Sequence, residues 1–155
     1  MTRVLKKNYK IPISVLIVIY TADMQVLLLH RKDRKDFWQS VTGSIELNES
    51  PYEAAMREVK EETSIDPAIY PLQDWKLSNE YEIYSHWRYR YAPGVTHNIE
   101  HIFGLEVPKH ITIKLAPTEH IDYQWFNINA AKEKVFSWTN RFAIEKLDEI
   151  KQYQS

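Results

Sequence analysis

The sequence predicts one domain of mixed α and β structure, and three observations lead to that expectation. A continuous β-branched run occupies Ile13 to Tyr20, a helix with complete start signals occupies Ser50 to Thr63, and apolar residues recur at helical spacing from Ala130 to Gln152. Strand-like runs lie between the two helices, so sheet and helix share one core. With 44% hydrophobic and 13% aromatic residues, a chain of 155 residues can bury a single sizeable core. Three glycines and scattered prolines provide no linker or repeat, so residues 1–155 read as one domain.

In order along the chain, Ile13 to Tyr20 and Val26 to Leu29 read as core strands joined by a turn at Thr21-Ala22-Asp23. Lys6, Lys7 and Lys10 ahead of the first run imitate a signal sequence, but a run of eight residues falls well short of the ~18 that argue for a membrane span. After a polar loop, Phe37 to Gly43 reads as a strand ending at a glycine. Ser50 is an N-cap, Pro51 the first helical residue and Glu53 the partner in a capping box, with Tyr52, Ala55, Met56 and Val59 as the apolar stripe. Downstream, Tyr81 to Tyr91 alternates aromatic and polar residues as a strand does, Pro93-Gly94 turns, and His101 to Val107 returns to make a hairpin. Glu119 to Phe126 is a further strand, and Ala130 to Gln152 a closing helix.

Charge narrows the functional classes. The 20 basic residues nearly cancel the 21 acidic ones, so no global field draws the chain to nucleic acid or membrane, and any anion site is local. The absence of cysteine excludes disulfides and thiol catalysis and fits a cytoplasmic protein. The residues carry no signal for an oligomeric state.

The chemistry begins at the acidic helix. Gly43, Glu49, Arg57, Glu58, Glu61 and Glu62 stand in the pattern G-x5-E-x7-R-E-x2-E-E. Positions 58, 61 and 62 are related by helical steps of three and four, so three carboxylates project from one side. Two carboxylates ~5 Å apart repel by roughly 3 kcal/mol at an effective dielectric near 20, which a cation would offset. On spacing alone, a solvated acidic face is the competing reading. Gly43, where backbone can approach a ligand, and Glu49 on the loop before the helix favour a cation site, and hard oxygen ligands suit Mg²⁺, with Mn²⁺ as a substitute.

This segment resembles the Nudix box, except that Ser64 stands where the family pattern has a glycine at the helix exit, a position that eases a left-handed cap. The resemblance implies a Nudix-type α/β/α sandwich in which the box helix packs on a mixed sheet. Phe37 to Ser44, Ala54 to Glu62, Ser85 to Thr96, Thr118-Glu119-His120 and Ser137 to Arg141 are similar to one group within the family, the dihydroneopterin triphosphate diphosphatases. That likeness spans residues 10–146. It implies removal of pyrophosphate from a pterin triphosphate, leaving the monophosphate, in folate biosynthesis.

By position, the resemblance assigns Glu58, Glu62 and Glu119 to the metal. Glu61 is left to bind a second metal or accept a proton from the attacking water, and Arg57 to orient a helix glutamate. It points to Lys10, Arg31, Thr42, Tyr81, Glu82, Ile83, Tyr84 and Ser137 for substrate. Lys10 and Arg31 can neutralise phosphate or be solvated cations; Tyr81 and Tyr84 can stack on a flat ring or be half-buried core; Glu82 can accept from a pterin's amino group and ring N–H. His86, Arg88, Arg90 and His97 are either a basic rim or surface charges, and His120 either supports the metal or is a satisfied structural histidine. The expected small-molecule partner is a pterin or nucleoside triphosphate. The competing functions are sanitation of (d)NTPs, a non-catalytic nucleotide-binding module and RNA cap removal. The intact carboxylate set disfavours the module and the near-neutral charge disfavours RNA.

Overall fold

The computed structural model describes residues 8–34 and 36–154, so Lys6, Lys7 and Lys35 lie outside the described residues. The chain forms β1 (Ile13–Tyr20), β2 (Gln25–Arg31), β3 (Trp38–Gln39), β4 (Val41–Ser44), α1 (Pro51–Thr63) and β5 (Leu72–Glu82). A 3-10 turn (Ser85–Arg90) leads to β6 (His97–Glu106), β7 (His120–Asn127), α2 (Ile128–Lys134) and α3 (Trp138–Gln154). Seven strands make one mixed sheet of order β3-β2-β1-β6-β5, with β4 also on β1 and β7 also on β2. The β1–β6 pair is parallel and the other pairs are antiparallel.

Successive strand residues face opposite sides of a sheet, and β1 is apolar on both. Val15, Ile17 and Ile19 pack with Phe103 against Ala54, Ala55 and Val59 of α1. Leu16, Val18 and Tyr20 pack with Ile102 against Ala131 of α2 and Ala143, Ile144 and Leu147 of α3. The result is the expected sandwich of helix, sheet and helix. Among the described residues no helix is long and apolar enough to cross a membrane.

Helix α1 begins as its sequence specifies. The Glu53 backbone N–H donates to Ser50 Oγ at 3.1 Å, and the Ser50 N–H donates to Glu53 Oε1 at 3.0 Å. Its buried stripe is Ala54, Ala55 and Val59, whereas Tyr52 remains 45% exposed with its ring edge toward Phe103. At the exit, Ser64 adopts φ 64°, the left-handed conformation for which the family uses glycine. Ser64 Oγ donates to the Lys114 carbonyl at 2.8 Å, which offsets part of the steric cost of its Cβ there.

Four elements differ from the sequence expectation. The strand over Phe37 to Gly43 breaks at Ser40, because β3 pairs with β2 and β4 with β1. Asn140 of α3 holds the break, accepting from the Ser40 N–H at 2.8 Å and donating to Ser40 Oγ at 2.9 Å. The strand expected over Tyr81 to Tyr91 ends at Glu82: backbone bonds from Trp87 N to Tyr84 O and from Tyr91 N to Arg88 O close a 3-10 turn, so the aromatic alternation there is not strand periodicity. The hairpin is instead made by β5, whose mostly polar, exposed positions conceal it in sequence. The closing helix is two helices. Val135 bridges to Trp38 and Phe136 stacks on Phe37 at 4.0 Å between ring centroids, after which Ser137 Oγ accepts from the Asn140 N–H and restarts the helix.

Glycine at position 64 removes the Cβ penalty, whereas alanine keeps it and loses the hydroxyl. Ser64→Gly is therefore expected to exceed Ser64→Ala in stability by about 1 kcal/mol. Urea unfolding of the two variants checks this, and equal midpoints would show that the left-handed exit is unstrained.

Candidate active site

The box helix places its carboxylates at the end of the sheet through one arginine. Arg57 donates to Glu49 through Nε at 2.8 Å and Nη2 at 2.9 Å, and to Glu58 Oε1 through Nη1 at 2.7 Å. The same Nη1 lies 3.3 Å from Glu61 Oε2, and Nη2 reaches the Ser44 carbonyl at 3.1 Å. Arg57 thus ties Glu49, Glu58 and Glu61 together. Glu49 is committed to this clamp rather than to a cation.

Glu58 and Glu62 turn inward. A Cβ at Gly43 would overlap the Glu58 carboxyl, so the missing side chain of β4 makes the space that Glu58 fills. Burial pushes the Glu58 carboxyl above its usual range despite Arg57, and pushes Glu62, 1% exposed, well above it, with Glu58 adding repulsion. Glu62 Oε2 has no hydrogen-bond partner among the described residues. Glu62, Glu119 and His120 each present a ligand atom within 4.8 Å of the others. His120 is not a satisfied structural histidine: its Nδ1 is buried without a hydrogen-bond partner among the described residues, and burial holds its pKa down to about 4. An uncharged imidazole beside an unpartnered carboxylate fits a divalent cation. Glu61 stands apart, its side chain 56% exposed and held by Arg57, outside the cavity lining.

The acidic corner opens into a cavity of about 860 Å³. Lys10, Arg31, Thr42, Tyr81, Glu82, Ile83, Tyr84 and Ser137, scattered over the sequence, all line it, as do Glu58, Glu62 and Glu119. Arg31 is engaged by Asp33 in a two-point contact of 2.8 and 2.6 Å, and its guanidinium carbon lies 5.3 Å from the Trp87 ring centroid. Arg90 faces the same ring at 5.5 Å. Of the four residues read as a basic rim, Arg90 lines the cavity, whereas Arg88 pairs with Glu82, His86 meets Arg34 Nη2 at 3.0 Å, and His97 bonds Thr96. The Glu82 side chain is 68% exposed.

Gln39, Trp87 and Glu100 also line the cavity and escaped the sequence reading. Asn98, Glu100 and Ile102 alternate onto one buried face of β6, which starts at His97, ahead of the expected start at His101. Glu100 is 4% exposed, and burial raises its carboxyl to about 7, with the Thr139 hydroxyl opposing the shift.

Comparison with known proteins places this architecture. The NUDIX domain family model matches residues 10–147. The chain belongs to the Nudix family. It is 50% identical over 143 residues to dihydroneopterin triphosphate diphosphatase of Escherichia coli K12, covering 90% of this chain and 94% of that one. It is 45% identical over 149 residues to the Haemophilus influenzae protein of the same name, covering 94% and 93%. The solved structure of the E. coli dihydroneopterin triphosphate pyrophosphohydrolase superposes with TM-score 0.83 at 50% identity, covering 90% of this chain and 97% of that one. A Listeria monocytogenes Nudix hydrolase structure superposes with TM-score 0.79 at 22% identity over 92% and 96%, a likeness of fold alone. Chemically, this Nudix site pairs a cation-competent carboxylate corner with a cationic mouth, as a phosphoanhydride hydrolase requires.

Gly43→Ala is expected to displace the Glu58 carboxyl and weaken divalent-cation binding by about 10- to 100-fold, as displaced supports of metal sites do. Calorimetric Mn²⁺ titration checks this, and unaltered affinity would remove Glu58 from the site. Glu100 yields a pH prediction with a definite sign. Its folded value of about 7 lies above the ordinary 4.5, so between these values the folded protein keeps a proton that the unfolded chain has released. That contribution to stability is lost as pH rises through the window. Metal-free Glu100→Gln should lack this part of the decline and be the more stable protein at pH 8, by of order 3 kcal/mol. A variant less stable than wild type at pH 8 would contradict the cost assigned to burying this carboxylate.

Proposed function

We propose that this Nudix hydrolase, read as one domain over residues 1–155, converts dihydroneopterin triphosphate to dihydroneopterin monophosphate and pyrophosphate in a cytoplasmic folate pathway. The observation that carries the reading is the meeting, in one cavity, of Glu58, Glu62 and Glu119 with Lys10 and Arg31 and with the Tyr81–Tyr84 segment. Relatives of that activity at 45–50% identity over nearly the whole chain support the substrate.

Glu58, Glu62 and Glu119 would hold the cation, Mg²⁺ by the hardness of three carboxylates and Mn²⁺ as a substitute, with the His120 nitrogen available to it or to a bound water. Bound there, the cation would supply neutralisation of phosphate charge and acidification of a water. Lys10, Arg31 and Arg90 receive the triphosphate at the cavity mouth; Arg31 exchanges part of its contact with Asp33 for phosphate oxygens. Thr42 anchors Glu62 by its backbone N–H, and Arg57 keeps Glu58 in place. A cavity-facing helix carboxylate takes the proton of the attacking water. Glu61 joins only if its Arg57 contact opens, as a second cation ligand or an alternative proton acceptor. Tyr81, Ile83, Tyr84 and Ser137 surround the heterocycle, and Glu82 remains with Arg88 at the rim.

Glu62→Gln should lower turnover by at least about 100-fold at saturating Mg²⁺, more than the loss of a supporting residue causes. With wild type, product analysis on dihydroneopterin triphosphate and the four dNTPs should give pyrophosphate with a strong pterin preference. A dNTP preference would move the enzyme to nucleotide sanitation, and orthophosphate release would refute the bond assignment.

A further inference from the structure

One group in the cavity has no part in the chemistry above. Glu100 sits on β6 opposite Ser14 of β1 and Asn79 of β5, away from the edges of the sheet. Strand parity turns it to the side covered by α3, whereas Glu58 and Glu62 come from α1 on the opposite side. Its Oε1 is buried with no hydrogen-bond partner, and no ion pair reaches it among the described residues. Glu100 has the Thr139 hydroxyl as a hydrogen-bond partner but no counter-charge, and a carboxylate so enclosed is among the costliest groups a fold can hold. Glu100 lines the ligand cavity, and its unpartnered oxygen is an acceptor without a donor.

The neighbours define the donor. Asn98, two residues before Glu100, spends its amide N–H groups on Ser14 Oγ at 2.7 Å and Tyr81 Oη at 3.0 Å. Those two hydroxyls accept from Asn98, and because Ser14 also bonds Tyr81, one hydroxyl hydrogen of the pair remains to give; both residues line the cavity with Glu100. The floor therefore offers a carboxylate acceptor beside a hydroxyl donor. A heterocycle with an amino group and ring N–H next to a carbonyl oxygen has the complementary edge. Glu82 cannot supply this acceptor while exposed and paired with Arg88.

We propose that Glu100 is the specificity-determining residue: its carboxylate accepts the amino and ring N–H donors of a 2-amino-4-oxopyrimidine ring, the edge shared by pterins and guanine and absent from adenine, cytosine and thymine. The inference rests on the triphosphate-hydrolase reading and deepens it by assigning the group that reads the ring. The donors would supply what burial denies the carboxylate, so its charged form is restored on binding. A site built around such donors rejects analogues that lack them far more strongly than an apolar pocket rejects a missing methylene.

The test uses unphosphorylated probes on the metal-free full chain, so that it does not depend on hydrolysis. Fluorescence or calorimetric titration would compare neopterin with its analogue carrying oxygen in place of the 2-amino group, and guanosine with inosine, for wild type and Glu100→Gln. Wild type should prefer the amino-bearing member of a pair by about 10- to 100-fold, and Glu100→Gln, checked for folding by its thermal melt, should lose that preference. A preference retained in Glu100→Gln, or absent from wild type in both pairs, overturns the inference. A Glu100-dependent preference confined to guanosine over inosine upholds Glu100 as the reader while removing the pterin assignment.

Discussion

Two glutamates forced out of water at the end of a sheet are the constraint around which this molecule is arranged. Glu58 and Glu62 lie one helical turn apart, their carboxyls raised above the usual range by burial. Left alone, such a pair would protonate or open the helix toward solvent. Gly43 gives one carboxyl its space, Arg57 gives it a counter-charge, and the Thr42 N–H reaches the other. Glu49 locks Arg57 from the preceding loop. What these contacts leave unsatisfied, Glu62 Oε2 and the His120 ring, is what a divalent cation would use.

The same sheet end separates two tasks by parity. Residues of one strand parity meet α1 and the acidic corner, and residues of the other meet α2 and α3. A ligand in the cavity can therefore have its phosphates handled from one side and its ring from the other. The break at Ser40 keeps both sides in register: it lets β3 and β4 serve different neighbours, and Asn140 ties that break to α3 through two hydrogen bonds. Ser137, which caps α3, and Thr139, which bonds Glu100, enter the cavity through this attachment.

Stability and function pull in opposite directions here. Glu58, Glu62 and Glu100 all resist ionisation in the folded chain, and each would be better solvated by unfolding. The apolar layers on both faces of β1 outweigh these costs, since Val15, Ile17 and Val18 are fully buried. Ligands that supply cation or donor contacts return part of that cost, so binding and folding reinforce each other.

Local signals were sufficient for the sequence to determine the box helix, its capping box and the β-branched central strands, because each rests on neighbours within a few residues or on simple periodicity; which of the helix carboxylates turn inward was not among them, since Glu61 stays exposed beside Glu62. The left-handed exit at Ser64 was legible for the same reason, since the glycine of the family pattern marks a backbone conformation. Tertiary structure decided the rest. Whether Ala130 to Gln152 is one helix depended on Val135 meeting Trp38, almost a hundred residues earlier. Glu49 and Glu62 look alike in the motif, yet one is spent on Arg57 and the other faces the cavity. Glu100 was invisible for the same reason: a carboxylate's cost and use are set by what surrounds it, and its surroundings come from β1, β5 and α3, which only folding brings together.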